Sequence, residues 1–234
     1  GERRMTDLLK LTSLCQNLEC EYILNALMKD YTTFQIGGPC DILVRPYDEG
    51  QVAALIQFCA VNGIRWQVIG NGSNLLAPDG GVSGVVIQIG SNFSYIRKSL
   101  KEGEIICAAG ASLSAAAAFA QKEGLTGLEF AWGIPGNVGG ALFMNAGAYG
   151  GEMKDVLAGG RCLTPEGELK TLAAAELGLS YRTSRFERQG GVILAADFAL
   201  AQGRPEEIRA RMEEFMGRRT AKQPLDKPSA GSTF

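Results

Sequence analysis

Residues 133–150 read Gly-Ile-Pro-Gly-Asn-Val-Gly-Gly-Ala-Leu-Phe-Met-Asn-Ala-Gly-Ala-Tyr-Gly, with six glycines, one proline and two asparagines. So many helix breakers suit backbone shaped around a ligand better than an ordinary buried segment. Glycine lets main chain approach another molecule closely, and successive free amides in turns form nests that bind anions. Gly70-Asn-Gly-Ser-Asn-Leu75 repeats the theme earlier in the chain. Taken alone, that segment reads first as a tight turn between strands: Leu75 stands where a dinucleotide fingerprint needs its third glycine, and no Gly-Lys-Ser/Thr forms a P-loop. Its functional reading is a set of exposed amides which, with the Ser73 and Asn74 side chains, hold a diphosphate where no basic cluster neutralises it.

The later segment is more specific. Pro135 fixes a turn, Gly139 and Gly140 allow close approach, and residues 138–144 can start a helix whose N-terminus faces an anion. The alternative is a glycine-lined packing contact. Tyr181-Arg-Thr-Ser-Arg-Phe186 is a short polar segment, open to reading as a solvated basic turn, and Ser229-Ala-Gly-Ser-Thr-Phe234 on its own reads as a frayed tail.

The chain has no histidine, so any acid or base must be Ser, Tyr, Lys, Cys or a carboxylate. Six cysteines (Cys15, Cys20, Cys40, Cys59, Cys107, Cys162) show no Cys-x-x-Cys spacing. A zinc or c-type haem site therefore lacks a ligand set, no metal is expected, and free, mostly buried thiols are the expectation.

These residues must be positioned by a sizeable fold. A chain of 234 residues can bury roughly 70 to 75% of its unfolded surface, as one large domain or two small ones. With 46% hydrophobic residues, 21% charged residues and a net charge of −2, it has no field that would attract nucleic acid or an anionic membrane. The N-terminal Gly-Glu-Arg-Arg-Met-Thr-Asp leads into an amphipathic pattern, a poor secretory signal. The most apolar run, 105–120, is broken by Gly110, Ser112 and Ser114 and is too short to span a bilayer. The expectation is a cytoplasmic monomer.

Apolar spacing over residues 6–28 predicts two short helices. Residues 40–45 alternate like a strand, Asp48 caps a helix to about Val61, and residues 66–69 form a strand that runs straight into the glycines at 70 and 72. Strands follow at 85–89, 105–108, 160–163, 169–172 and 192–200, interrupted by an Ala-rich helix at 112–123. Pro205 opens a final amphipathic helix with Ile208, Met212 and Phe215 on its apolar face. The class is α+β.

In order, Tyr31-Thr-Thr-Phe-Gln-Ile-Gly-Gly38, Gly70-Asn-Gly-Ser-Asn-Leu-Leu76, Gly133-Ile-Pro-Gly-Asn-Val-Gly-Gly140, Met144-Asn-Ala-Gly-Ala-Tyr-Gly150, Tyr181-Arg-Thr-Ser-Arg-Phe186 and Pro228-Ser-Ala-Gly-Ser-Thr-Phe234 resemble the motifs of UDP-N-acetylenolpyruvoylglucosamine reductases, from Thr32 to the last residue. The resemblance implies a vanillyl-alcohol-oxidase/PCMH-type α+β flavoprotein with FAD between two subdomains, here residues 1–90 and 91–220. Residues 221–234 would be a linker into a substrate-covering domain. NADPH would reduce the flavin, which would pass hydride to the enolpyruvyl ether of the UDP-sugar and give UDP-N-acetylmuramate for peptidoglycan. Gly70, Asn71, Gly72, Ser73, Asn74 and Leu75, with Gly133, Ile134, Pro135, Gly136, Val138, Gly139 and Gly140, would hold the FAD diphosphate and flavin, with Asn145, Gly147 and Ala148 close by. Tyr149 and Tyr181 would lie at the substrate, Arg182 would stabilise the developing enolate as a buried guanidinium, and Ser232 would deliver the proton.

The family's chains continue past Gly231-Ser-Thr-Phe234 into that covering domain and a glutamate that assists catalysis. The expectation is that the backbone around Ser232 is not held and that this polypeptide binds FAD yet reduces its UDP-sugar poorly. The short connection between Phe186 and Val192 resembles the subclass without a long substrate loop. A different flavin oxidoreductase of the same fold and a non-catalytic nucleotide-binding polypeptide remain the alternatives.

Overall fold

A computed structural model describes residues 2–231. The first helix, α1 (Glu2–Asn17), buries Leu11 and Cys15, one turn apart. The second expected helix is not formed. Glu19 and Asn25 take left-handed backbone (φ 53° and 51°) and bracket a strand, β1 (Glu21–Leu24). It pairs antiparallel with β2 (Cys40–Arg45), placing Ile23 opposite Leu43 and Leu24 opposite Ile42. Cross-strand pairing has overridden an apolar spacing that suited either element.

Helix α2 (Glu49–Asn62) starts where Asp48 Oδ1 accepts from the Gln51 N–H at 2.8 Å and stops at Gly63, with φ 63°. Val52, Leu55, Ile56 and Cys59 form its buried face. β3 (Trp66–Ile69) and β4 (Val82–Gln88) complete a four-stranded sheet in the order β1-β2-β4-β3, with β4 parallel to both β2 and β3.

The second sheet contains β5 (Ile96–Lys98) and β6 (Glu104–Ala108), after which α3 (Leu113–Lys122) begins at its Ser112 cap. β7 (Leu125–Thr126), α4 (Val138–Phe143), β8 (Gly147–Ala148) and β9 (Gly151–Glu152) follow. β10 (Leu157–Leu163), β11 (Leu169–Ala173), α5 (Arg185–Gln189), β12 (Val192–Ala199), β13 (Ala201–Gln202) and α6 (Pro205–Lys222) finish the chain order. The five-stranded sheet runs β11-β10-β12-β6-β5, antiparallel throughout.

β12 divides its side chains between two cores, and a bulge at Leu194, where the register with β10 shifts between Arg161 and Cys162, switches which parity faces which core. Val192 and Leu194 join Leu55, Ile56, Ile42 and Ile87, so this sheet packs against α2 and the first sheet. Ile193, Ala196 and Phe198 face Ala116, Leu142 and Met212, under α3, α4 and α6. The far side of the first sheet holds a third cluster, in which Leu43 and Val86 meet Met28 and Ala77. Polar contacts reinforce the seam: Arg161 pairs with Glu49 at 2.5 Å, and Gln57 Nε2 donates to Gly167 O at 3.1 Å.

Candidate functional site

β3 delivers the chain directly into the turn at residues 70–74. Gly72 has φ 64°, and a side chain there would overlap the Tyr31 and Thr32 backbone. Only glycine lets this turn lie against residues 31–33. The Thr33 N–H donates to Gly72 O at 3.3 Å. The Asn71 N–H donates to Asn137 Oδ1 at 2.6 Å, while Asn137 Nδ2 donates to Gly110 O at 2.7 Å. Asn137 is buried, and its one carboxamide fastens both glycine segments to each other and to the loop before α3. Ser73 Oγ donates to Pro135 O at 2.7 Å, so that hydroxyl proton is already spent. The amides of Gly72, Ser73 and Asn74 have no partner among the described residues. Successive amides left free in this way are what an anion-binding nest is built from, neutral N–H donors rather than side-chain charge.

The start of α4 differs from expectation. Its first two amides are consumed: Val138 N–H donates to Ala111 O at 2.8 Å and Gly139 N–H to Ala109 O at 2.9 Å. Six residues are also too few for the helix end to act as an anion site by itself. A Cβ on Gly139 would lie 2.8 Å from the Ala109 methyl, so this glycine serves packing. Gly140 is exposed with open space before it, and its amide has no partner among the described residues. Gly136 lies against Ser73, a Cβ there falling 3.1 Å from Ser73 Oγ. The Ile134 N–H donates to Ala131 O at 3.1 Å, and Gly133 lies beneath the stem of Arg219. Leu75 is half-buried against the third core cluster.

Asn145, expected near the cofactor, is buried with its carboxamide fully engaged. Nδ2 donates to Glu152 Oε2 at 2.6 Å and Ser180 O at 3.2 Å, while Oδ1 accepts from the Lys154 N–H at 3.0 Å. It ties two tips together instead of presenting a donor. One tip is the β8–β9 hairpin, where Gly147 and Ala148 pair with Glu152 and Gly151. Tyr149 and Gly150 turn it with φ 54° and 84°, the backbone signature of a type I′ turn. The Tyr149 ring stacks on Phe215 of α6, centroids 4.6 Å apart and planes 10° from parallel. The other tip is Tyr181-Arg182, closed by reciprocal bonds between Ser180 and Thr183 of 3.0 and 3.1 Å. Arg182 takes φ 56° and is exposed, as is Tyr181, which corrects the expectation of a buried guanidinium. A non-glycine residue in left-handed backbone is a local strain of the kind that collects at functional sites. Asn74 Nδ2 lies 3.6 Å from the sulfur of Met144, next to Asn145, so contacts run continuously from the nest to both tips.

Ser232 lies outside the described residues. The chain leading up to it is held. The Ser229 N–H donates to Thr33 O at 3.1 Å, and Thr33 Oγ1 donates to Ser229 O at 2.6 Å. A Cβ on Gly231 would lie 3.1 Å from Asn74 Oδ1, so residues 229–231 border the nest.

All six cysteines are free and buried, and burial pushes Cys15 up to about 11 and Cys20, Cys59 and Cys107 up to about 12. Thiols held neutral in apolar surroundings supply neither nucleophile nor proton near neutral pH. Among the described residues no three His, Cys, Asp or Glu side chains are grouped to hold a metal, and no helix is long and apolar enough to cross a membrane. Asn137, Thr33, Met144 and Arg219 make contacts at the site that the sequence motifs do not single out. Asn137 and Met144 sit inside the glycine-rich motifs, and only the fold shows what they touch.

The donor set fits a diphosphate-bearing flavin: partnerless amides at residues 72–74, fastened to a glycine segment whose Gly140 leaves its backbone amide bare in open space. A family model described as an FAD binding domain matches residues 40–173. The UDP-N-acetylenolpyruvoylglucosamine reductase of Clostridium novyi (strain NT) is 47% identical over 211 residues, covering 90% of this chain and 67% of its own. The crystal structure of UDP-N-acetylenolpyruvylglucosamine reductase from Thermus caldophilus superposes with TM-score 0.75 at 35% identity, over 92% of this chain and 74% of that one. A chitooligosaccharide oxidase, 16% identical, superposes with TM-score 0.62 over 82% of this chain and 43% of its own, a likeness of fold alone. The fold is the α+β vanillyl-alcohol-oxidase/PCMH type. Identity of this degree along nine-tenths of the sequence decides the kinship that the order of its motifs implies, and the chain belongs to the UDP-N-acetylenolpyruvoylglucosamine reductases.

Proposed function

We propose that this chain carries out the FAD-dependent, NADPH-using reduction of UDP-N-acetylglucosamine enolpyruvate to UDP-N-acetylmuramate, a step of peptidoglycan synthesis. The observation that carries this reading is the set of partnerless amides at Gly72, Ser73 and Asn74, tied through Ser73 and Asn137 to the glycine segment that carries the uncovered Gly140. These are the groups that would receive the FAD diphosphate, cradled between residues 1–90 and 91–220 as its two binding subdomains. When bound, FAD supplies the hydride chemistry, accepting from NADPH and giving to the enolpyruvyl double bond.

The side chains then have separable tasks. Arg182, permanently charged and projected on its strained tip, holds the enolpyruvyl carboxylate and stabilises the negative charge that grows there as the double bond takes up hydride. Tyr149 and Tyr181 border the sugar-nucleotide. The Ser232 hydroxyl gives its proton to the adjacent carbon and recovers one from solvent, a role suited to a chain without histidine. Support for its placement is the docking of residues 229–231 beside Asn74. The protein works in the cytoplasm as a monomer, and light scattering of the purified chain tests the oligomeric state.

An absorption experiment tests the reaction. The chain should take up FAD, its flavin bands should bleach with NADPH under anaerobic conditions, and they should return on adding the enolpyruvyl UDP-sugar. Failure to bind FAD overturns the proposal. Bleaching without return leaves the cofactor assignment standing and removes the sugar-reducing role from this chain.

A further inference from the structure

Arg219 is the arginine of α6 whose charge has no counterpart among the described residues. Arg209 pairs with Glu213, Arg211 with Glu129, and Arg218 with Glu214, whereas Arg219 has no acidic partner. Its Nε is buried from solvent and bonded to nothing. A buried donor without an acceptor costs about 1–3 kcal/mol, and more where the group is charged. The stem lies flat on the second glycine segment: a Cβ on Gly133 would sit 3.1 Å from Arg219 Cδ and 3.7 Å from the end of Met216. Such a group is poised for an acceptor that arrives from outside the polypeptide.

We propose that Arg219 is a cofactor-contacting cation, its guanidinium directed at the electron-rich pyrimidine oxygens of the flavin ring. This rests on the FAD reading given above. The diphosphate nest lies on the Gly136 side of the segment, where Gly136 abuts Ser73. Arg219 lies instead one helical turn after Phe215, the residue that carries Tyr149 of the expected substrate end. The chemistry suits that end of the cofactor. Two-electron reduction leaves negative charge on the pyrimidine part of a flavin, so a fixed guanidinium there favours the reduced form over the oxidised one and raises the midpoint potential. A side chain at Gly133 would crowd the arginine stem, its Cβ falling 3.1 Å from Arg219 Cδ.

The test compares the wild-type chain with Arg219→Gln and Arg219→Lys, titrating each with FAD and with riboflavin and measuring the midpoint potential of the bound flavin. Arg219→Gln should bind both flavins more weakly. It should also lower the potential by about 30 mV, the shift equivalent to a tenfold loss of preference for the reduced form in a two-electron couple. Arg219→Lys keeps the charge without the fork and should fall between. Unchanged potential overturns the proposal and marks Arg219 as a packing residue. Weaker FAD binding with riboflavin binding intact also overturns it, assigning the guanidinium to the diphosphate. If Arg219→Gln does not fold, Arg219→Lys decides alone: its potential must lie below wild type. Failure of the wild-type chain to bind either flavin removes the FAD reading itself, and this proposal with it.

Discussion

Gly139 and Gly140 are adjacent and do opposite things. A methyl at Gly139 meets the Ala109 methyl at 2.8 Å, whereas one at Gly140 meets open space. Gly139→Ala should therefore destabilise the flavin-free chain by about 1–3 kcal/mol through overpacking, read as a shift in the urea midpoint. Gly140→Ala should leave that midpoint where it is or raise it slightly, because alanine is the better helix former, and weaken FAD binding instead. If Gly140→Ala binds FAD as wild type does, the open space is not part of the cofactor cradle. Asn137 combines the two duties. Truncating it to alanine strands Gly110 O and the Asn71 N–H, which should cost about 2 kcal/mol in stability and loosen FAD as the two glycine segments lose their shared anchor. Stability loss with unchanged FAD affinity would show that the segments hold their shape without it.

Among the elements, the β8–β9 hairpin depends most on a neighbour. Two residue pairs and a type I′ turn make a marginal hairpin, and the stack of Tyr149 on Phe215 adds about 0.5–1.5 kcal/mol. Phe215→Ala should raise amide hydrogen exchange at residues 148–151 while leaving exchange in β12 unchanged; equal protection in both proteins would mean that the turn is self-sufficient. This hairpin was invisible as an element in the sequence, where it appears only as glycines flanking a tyrosine. The longer elements were legible because local chemistry and burial agree in them: Asp48 caps α2 as its position suggests, the apolar face at Val52, Leu55, Ile56 and Cys59 is the buried one, and β12 is an apolar run buried on both of its faces. The stretch around Ile23 was misread because four apolar residues at mixed spacing fit helix or strand, and pairing with β2, remote in sequence, made the choice. At the site, the nest amides followed from glycine spacing. That α4's first amides are spent on Ala111 and Ala109, and that Asn145 is fully bonded, depends on contacts between distant segments that no local pattern encodes.

For the whole molecule, the six buried thiols report on cooperativity. A thiol reagent at neutral pH should label none of them rapidly in the folded chain and all of them after denaturation; fast labelling of one cysteine under native conditions would reveal a core that opens by itself. Asp197, on β12, gives a pH signature. Burial pushes its carboxyl above the ordinary value, against the opposing pull of Arg161. The folded chain thus holds that proton more tightly than the unfolded one, and the stability it contributes is complete below the ordinary carboxylate range and lost as pH rises through the raised value. Asp197→Asn should flatten this part of the profile in thermal unfolding from acid to neutral pH, and a parallel profile would assign the loss to other carboxylates. The bonds between Thr33 and Ser229 span 196 residues of sequence. Loop-closure entropy grows only slowly with such a span, but contacts this distant along the chain are the slowest to form. On a ribosome, both sheets have emerged before residue 229 can reach Thr33, so the border of the proposed cofactor cleft beside Asn74 is finished only after the rest of the fold is in place.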